Sequence, residues 1–181
     1  MHVAPRPIIT AVTGDAGSGK STFIRALGAA TNYKGLLPGG LTRELHKTGI
    51  IEIGVIPVDA AAVLYLLEMP PFSRSDGIWY TLASFIDSCV VVVDSTRPQT
   101  CPKARQVIDF FDDAAADAPR LVAANKQDVE GCLSPEEVAY ILALDGADRI
   151  PVLPCCATKR DDVKAVLLKL FDQIVDRIAA E

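Results

Sequence analysis

The eight residues Gly14–Ser21, "GDAGSGKS", constrain the fold more than any other part of this 181-residue chain. They match the pattern G-x-x-x-x-G-K-[ST], a loop that joins a buried strand to a following helix. Both neighbours are indicated here, because the apolar run at 7–13 predicts a strand and the segment at 21–30 predicts a helix. The chain is therefore expected to begin with a strand–loop–helix unit.

Apolar runs alternate with helical patterns along the rest of the chain. Strands are predicted at 49–59, 61–68, 88–94, 120–126 and 149–156, the first two as an antiparallel hairpin. Helices are predicted at 104–114, 134–144 and 161–178, and Ser134 with Glu137 forms a capping box at the start of the second. This alternation predicts an α/β fold with a six-stranded, mostly parallel sheet and about five flanking helices. We expect residues 1–181 to form a single domain.

Charge and composition restrict the possible partners. The net charge of −5, from 18 basic and 23 acidic residues, argues against a nucleic-acid-binding surface. The five cysteines include no C-x-x-C pair, which favours reduced thiols and a cytoplasmic location. No apolar run reaches the roughly 18 residues of a membrane span, and the ending "RIAAE" lacks a prenylation box. We therefore expect no direct membrane anchor. We also expect the protein to be a monomer or a weak dimer.

The loop itself predicts a phosphate site. Its glycines allow successive N–H groups to point at an anion. Lys20 is expected to reach the β- and γ-phosphates of a nucleotide, and the Ser21 hydroxyl is expected to bind Mg²⁺. The alternative interpretation is a flexible Gly/Ser loop. The nucleotide-binding residues expected here are Gly14, Asp15, Ala16, Gly17, Ser18, Gly19, Lys20, Ser21 and Thr22.

The segment "NKQD" indicates which base is bound. It follows a predicted strand, and the Asp128 carboxylate can accept two hydrogen bonds from guanine, a donor pair that adenine lacks. Asn125 is expected to tie the loop together, and the Lys126 stem to lie along the base. After the last strand comes "CCATK", in which the Ala157 amide is expected to contact the guanine oxygen. Cys156 and Thr158 complete this second group of nucleotide-binding residues.

In this order and spacing, Gly14–Ser21, Asn125–Asp128 and Cys156–Thr158 resemble the motifs of small Ras-like GTPases. The stretches "TRELHKTGIIEIGVIPVD", "LYLLE" and "DSCVVVVDSTRP" resemble the bacterial gliding-motility and polarity (MglA-like) subtype. The resemblance implies a three-layer P-loop NTPase G domain. It also implies a Mg²⁺-dependent GTP/GDP switch of a prokaryotic signalling or polarity system, served by an effector and by an activating protein of the roadblock fold.

The resemblance also implies two mobile switches. The first is expected between residues 31 and 48, where a Thr binds Mg²⁺ and the γ-phosphate; Thr42 and Thr48 both fit, and Thr42 is preferred. The metal ligands expected are Ser21, Thr42 and Glu68. The catalytic residues expected are Lys20, Thr42 and Glu68.

The second switch, within "YLLEMPPFSRSDG", departs from the Ras-like pattern. Glu68 replaces the usual Asp, Pro71 replaces the Gly whose N–H senses the γ-phosphate, and Phe72 replaces the water-orienting Gln. In the phosphate loop, Ala16 replaces a Gly, and its methyl group is expected to crowd the space of water or an inserted arginine. We therefore expect tight guanine-nucleotide binding with slow intrinsic hydrolysis.

Several alternatives remain open at this point. One is a non-hydrolysing GTP/GDP-binding adaptor with a fixed partner surface; a P-loop kinase or ATPase is disfavoured by "NKQD". Arg43 and Arg74 are either arginine fingers acting in cis or solvated surface charges. Phe72, Trp79 and Tyr80 either form an effector or activator patch or pack on the sheet.

Overall fold

The structure is a computed structural model that describes residues 6–27, 41, 52–59, 62–73, 77–144 and 150–180. Its strands lie in one sheet in the order β2-β3-β1-β4-β5-β6. Among the strands in these ranges, only β2 runs antiparallel to its neighbour, which confirms the hairpin and the mostly parallel sheet. The strands are β1 (Arg6–Thr13), β2 (Ile53–Pro57), β3 (Ala62–Glu68), β4 (Ser88–Asp94), β5 (Arg120–Asn125) and β6 (Val152–Pro154).

Five α-helices flank the sheet in the described ranges, as expected. They are α1 (Lys20–Arg25), α2 (Gly77–Ala83), α3 (Cys101–Ala114), α4 (Pro135–Ile141) and α5 (Arg160–Ala180), and a 3₁₀ turn at Pro98–Thr100 precedes α3. Helix α4 starts with the predicted capping box, but it ends before the predicted 144 because the chain turns at Ala143, whose φ is 52°. Among these helices, none combines the length and apolar character that crossing a membrane requires.

The sheet has a separate hydrophobic core on each face. Side chains of a strand point alternately to opposite faces, so neighbours in β4 belong to different cores. Val91 packs with Phe111 on the side covered by α2, α3 and α4. Val92 packs with Phe23 and Leu167 on the side covered by α1 and α5. The expected three-layer α/β architecture is thus confirmed.

Strand β4 lies near the middle of the sheet and is buried along its whole length. Asp87 precedes it and accepts a hydrogen bond from the Ile9 N–H at 2.8 Å, which ties the start of β4 to β1. Asp94 ends it. Since β1, β3, β4, β5 and β6 are parallel, their carboxyl ends meet at one edge, where ligands of such sheets bind.

Candidate nucleotide site

The phosphate loop follows β1 and adopts a conformation that requires glycine. Gly14 has φ 144°, and a Cβ at this position would lie 2.2 Å from the Val92 carbonyl oxygen. Gly19 has φ 104°, and its Cβ would lie 2.3 Å from the Asn125 amide nitrogen. Glycine therefore lets the loop approach both β4 and the end of β5.

Lys20 and Ser21 occupy the first turn of α1. The Lys20 Nζ donates to the carbonyl oxygens of Gly14 and Asp15, each at 3.1 Å. Burial lowers the pKa of Lys20, while the nearby charges of Glu68 and Asp15 act in the opposite direction. The Ser21 hydroxyl donates to Glu68 Oε2 at 2.8 Å, so the end of β3 lies beside the phosphate loop as the sequence register predicted.

Ser21 and Glu68 are suitable magnesium ligands. Mg²⁺ prefers oxygen and is commonly held by one or two carboxylates together with phosphate oxygens and water. A hydroxyl and a carboxylate that already lie within hydrogen-bond distance fit that requirement. Within the described ranges there is no cluster of three His, Cys, Asp or Glu side chains that would hold a metal without a nucleotide.

Asn125 holds the two halves of the site together. Its Nδ2 donates to the Ser18 carbonyl in the phosphate loop at 2.7 Å. Its Oδ1 accepts from the Ala157 N–H, after β6, at 2.8 Å. Asn125 therefore ties the loops as predicted. The Ala157 amide, which was expected to contact guanine, is paired with Asn125 here, so a base contact must share or replace this bond.

The remaining base-side residues cluster around the same loops. Asp128 is exposed and thus accessible to a base. The Cys156 Sγ lies 3.0 Å from the Thr158 hydroxyl, and the Cys156 N–H donates to Asp162 at 2.9 Å. These bonds fix the loop after β6 next to the start of α5. The predicted residues of this loop are therefore brought to the same edge of the sheet as the phosphate loop.

Asp94 also belongs to the candidate site, and it was not predicted from the sequence. Its buried carboxylate accepts from Lys126 Nζ at 2.6 Å and from Arg97 Nε at 2.7 Å. Arg97 also donates to the carbonyl of Ala16 at 2.6 Å. The sequence offered one signal for this role: a single acidic residue at the carboxyl end of a central strand, followed three residues later by an arginine.

The start of the second switch is held by aromatic packing. The Trp79 indole N–H donates to the Pro71 carbonyl at 3.2 Å. The Phe72 ring contacts Trp79 at a centroid distance of 4.8 Å and Phe110 at 5.6 Å, in both cases edge-on. Trp79 is fully buried, whereas Tyr80 is 52% exposed. Trp79 is therefore a core residue, and only Phe72 and Tyr80 remain candidates for a contact patch.

Four predicted residues, Thr42, Thr48, Arg43 and Arg74, lie outside the described residues. Their assignments as metal ligand and arginine fingers stay predictions. Thr22 is described, and its side chain is exposed on α1.

Comparison with known proteins gives a consistent family. The model of the ADP-ribosylation factor family matches residues 74–174, more than half of the chain. Mouse ADP-ribosylation factor-like protein 10 is 31% identical over 134 residues, which cover 74% of this chain and 51% of the relative. Human ADP-ribosylation factor-related protein 1 is 26% identical over 131 residues, covering 70% and 63%. An Arabidopsis thaliana ADP-ribosylation factor-like protein 2 is 29% identical over 107 residues, covering 56% of each.

The fold and the paired loops define the class: a P-loop G domain of the small Ras-like GTPases. Within this class, the chain belongs to the ADP-ribosylation factor family. The family match begins after the phosphate loop, which is identified by its own motif and geometry.

These similarities identify the family but not a subtype within the Ras-like GTPases. The relatives named above are animal and plant proteins, and they give no support to the expected gliding-motility subtype or to a bacterial source. The chain spans about half to two thirds of their lengths, with 51% of the mouse and 63% of the human protein matched.

Proposed function

We propose that this chain binds GTP and GDP with Mg²⁺ and hydrolyses GTP slowly, acting as a switch. The observation that carries the proposal is the double contact of Asn125, which joins the phosphate loop to the loop after β6. This contact brings a phosphate-binding element and a guanine-selective element to one edge of the sheet. A domain with both elements recognises the phosphates at one end of its ligand and the base at the other.

Each group in the site then has a definite task. The backbone N–H groups of the phosphate loop and Lys20 would bind the β- and γ-phosphates. Asp128 would accept the two guanine donors. Ser21 and Glu68, with Thr42 as the proposed third residue, would hold Mg²⁺, which neutralises charge on the phosphate oxygens when bound.

Slow hydrolysis follows from two residues of the second switch. Pro71 carries no N–H for the γ-phosphate, and the Phe72 ring has no group that can orient water. We expect single-turnover hydrolysis without a partner at or below the order of 10⁻⁴ to 10⁻³ s⁻¹. A partner-free rate of about 1 s⁻¹ would contradict slow hydrolysis, since intrinsic Ras-like rates are far lower.

The substitution Asp128→Asn tests guanine recognition. Asparagine cannot accept both guanine donors, so GDP affinity should fall roughly 10–100-fold. Affinity for xanthosine diphosphate should rise, because its base carries a carbonyl where guanine carries an amine, and the asparagine amide can donate to it. Titration calorimetry with both nucleotides and with ATP measures these changes.

The control for this substitution is Asp176→Asn, which changes another exposed carboxylate, on α5. It should leave all three affinities unchanged. If wild-type protein prefers ATP, or if Asp128→Asn leaves GDP affinity intact, the proposed function is wrong.

A second candidate, a non-hydrolysing adaptor, is favoured by the fixed start of the second switch. The bond from Trp79 to the Pro71 carbonyl and the packing of Phe72 hold a segment that normally rearranges. Hydrogen exchange over residues 69–80 distinguishes the two candidates. A switch requires different protection in the GDP and GTP forms, whereas an adaptor shows the same protection in both.

We also propose that an activating protein and an effector serve this domain. A partner is expected because Pro71 and Phe72 do not supply the N–H and the side-chain amide that speed hydrolysis at these two positions. The roadblock-fold activator, the prokaryotic polarity role and the cytoplasmic location stay predictions that rest on the sequence. Stimulated single-turnover hydrolysis on addition of a purified roadblock-fold protein is the direct test of that partner.

A further inference from the structure

An ion pair joins helix α3 to the phosphate loop. The Lys103 Nζ lies 2.9 Å from Asp15 Oδ1 although the two residues are 88 positions apart in the chain. Both residues line a cavity of about 400 Å³ that also borders Lys20, Glu68 and Pro71. The pair therefore lies at the wall of a space that borders both the phosphate loop and the start of the second switch.

The charge of Asp15 makes the pair relevant to nucleotide binding. A carboxylate in a loop that holds phosphates repels them unless it is neutralised. The hydrogen bond from Lys103 lowers the pKa of Asp15 against the opposing effect of burial, so Asp15 stays ionised with Lys103 as its counter-ion. Lys103 is 67% exposed and Asp15 is 18% exposed, and such a solvent-accessible pair is weak enough to exchange partners.

The cavity otherwise offers little to a third phosphate. Among the described residues that line it, only Lys20 and Lys103 carry a positive charge. Lys20 donates to two loop carbonyls here and, in the proposed function, is shared between the β- and γ-phosphates. Pro71, at the position of the usual sensor, has no N–H. Lys103 is thus the lining group that is both cationic and held by a weak, exposed contact.

We propose that Lys103 senses the γ-phosphate: its Nζ moves from Asp15 to the γ-phosphate oxygens and so favours GTP over GDP. This inference rests on the proposed function. It gives the chain a side-chain sensor on α3 in place of the backbone sensor that Pro71 cannot supply. A terminal phosphate carries more charge than one carboxylate and attracts the Lys103 ammonium more strongly. Between the γ-phosphate and Asp15, the ammonium still offsets the repulsion of these two anions.

The test compares Lys103→Met with wild type in binding GDP and a non-hydrolysable GTP analogue. Methionine keeps most of the unbranched stem of the side chain and removes the charged amine. Affinity for the GTP analogue should fall about tenfold, the loss expected for one charge-assisted hydrogen bond. GDP affinity should change by less than about twofold. Lys169→Met on α5, which replaces an exposed lysine over the opposite face of the sheet, should leave both affinities unchanged.

Asp15→Asn, alone and combined with Lys103→Met, separates sensing from charge neutralisation. If Lys103 binds the γ-phosphate, affinity for the GTP analogue stays low in the double variant, because removing the Asp15 charge does not replace the lost contact. If Lys103 only neutralises Asp15, the double variant regains wild-type GTP affinity, and the inference is wrong. Equal weakening of GDP and GTP by Lys103→Met, with unchanged thermal unfolding, also overturns it. Failure of the wild type to bind either nucleotide instead removes the proposed function itself.

Discussion

At the scale of single residues, Asp94 links the two loops that would hold a nucleotide. Its carboxylate accepts from Lys126 of the base-side loop and from Arg97, which in turn holds Ala16 of the phosphate loop. The Thr96 hydroxyl adds a bond at 2.6 Å. Burial raises the pKa of Asp94, but the hydrogen bonds from Lys126, Thr96 and Arg97 outweigh it and hold the pKa below its ordinary value.

Asp94→Asn should therefore weaken both loops at once. Asparagine keeps the shape of the side chain but leaves Lys126 and Arg97 without an anionic partner. We expect the free energy of unfolding to fall by about 1–3 kcal/mol at pH 7. GDP and GTP affinities should fall together, which contrasts with the selective loss expected for Lys103→Met. Urea unfolding and titration calorimetry measure the two effects.

Wild type and Asp94→Asn also test whether the charge of Asp94 stabilises the fold, through the pH dependence of unfolding. Because the pKa of Asp94 is lower in the folded state than in the unfolded state, where it is about 4, its stabilisation is complete above about pH 5 and is lost as pH falls toward the folded value. The difference in unfolding free energy between wild type and Asp94→Asn should shrink between pH 5 and pH 3. A difference that stays constant across this range would show that the charge of Asp94 is not what stabilises the fold.

At the scale of elements, the residues that follow β3 are expected to affect both the stability of the domain and the rate of GTP hydrolysis. Their aromatic contacts to Trp79 and Phe110 stabilise the domain. Phe72, which makes these contacts, and its neighbour Pro71 stand where Ras-like proteins carry a water-orienting side chain and a mobile sensor. Stability at this segment is therefore expected to come at the expense of hydrolysis.

The double substitution Pro71→Gly with Phe72→Gln tests this trade-off. It supplies the missing N–H and the missing amide, so single-turnover hydrolysis should rise at least about tenfold, given that such groups contribute roughly 10²–10⁴. Loss of the ring contacts should lower the free energy of unfolding by about 1–3 kcal/mol. Pro71→Gly with Phe72→Leu is the matched control, since it loses the ring without gaining the amide. Equal rates in the two double variants would contradict a role for the Gln.

Elements with strong local signals were predictable from the sequence, and those set by distant contacts were not. Strand β4 is marked by its run of β-branched residues, and α4 by its capping box. The loops Gly14–Ser21 and Asn125–Asp128 are contiguous motifs, so their residues can be recognised locally. Asp94 and Lys103 act on residues far away in the chain. Their roles follow from the order of the strands, which pattern alone leaves open.

At the scale of the whole molecule, Asn125 connects three separate parts of the chain. It ends β5, contacts the phosphate loop after β1 and receives the Ala157 N–H after β6. These parts adjoin only because the sheet places β1, β5 and β6 with their carboxyl ends at one edge. The candidate nucleotide site therefore forms only when these strands are assembled in one sheet.

Asn125→Ala should reduce both global stability and nucleotide binding. The variant leaves the buried Ser18 carbonyl and Ala157 N–H without their partner, at a cost of about 2–4 kcal/mol. GDP affinity should fall, and saturating GDP should recover part of the lost thermal stability because ligand binds only the folded state. Thermal unfolding with and without GDP measures both. An unchanged melting temperature would show that these bonds contribute little.

The burial of β4 also affects the chain before it has folded. A segment such as "SCVVVVD", rich in valine, short and with almost no charge, is the kind that pairs with copies of itself and aggregates when exposed. Asp87 and Asp94 flank its apolar residues, and each has a structural task in the native state. In the unfolded chain their negative charges oppose stacking of neighbouring copies. We therefore expect the two carboxylates that anchor the central strand to oppose aggregation during folding as well.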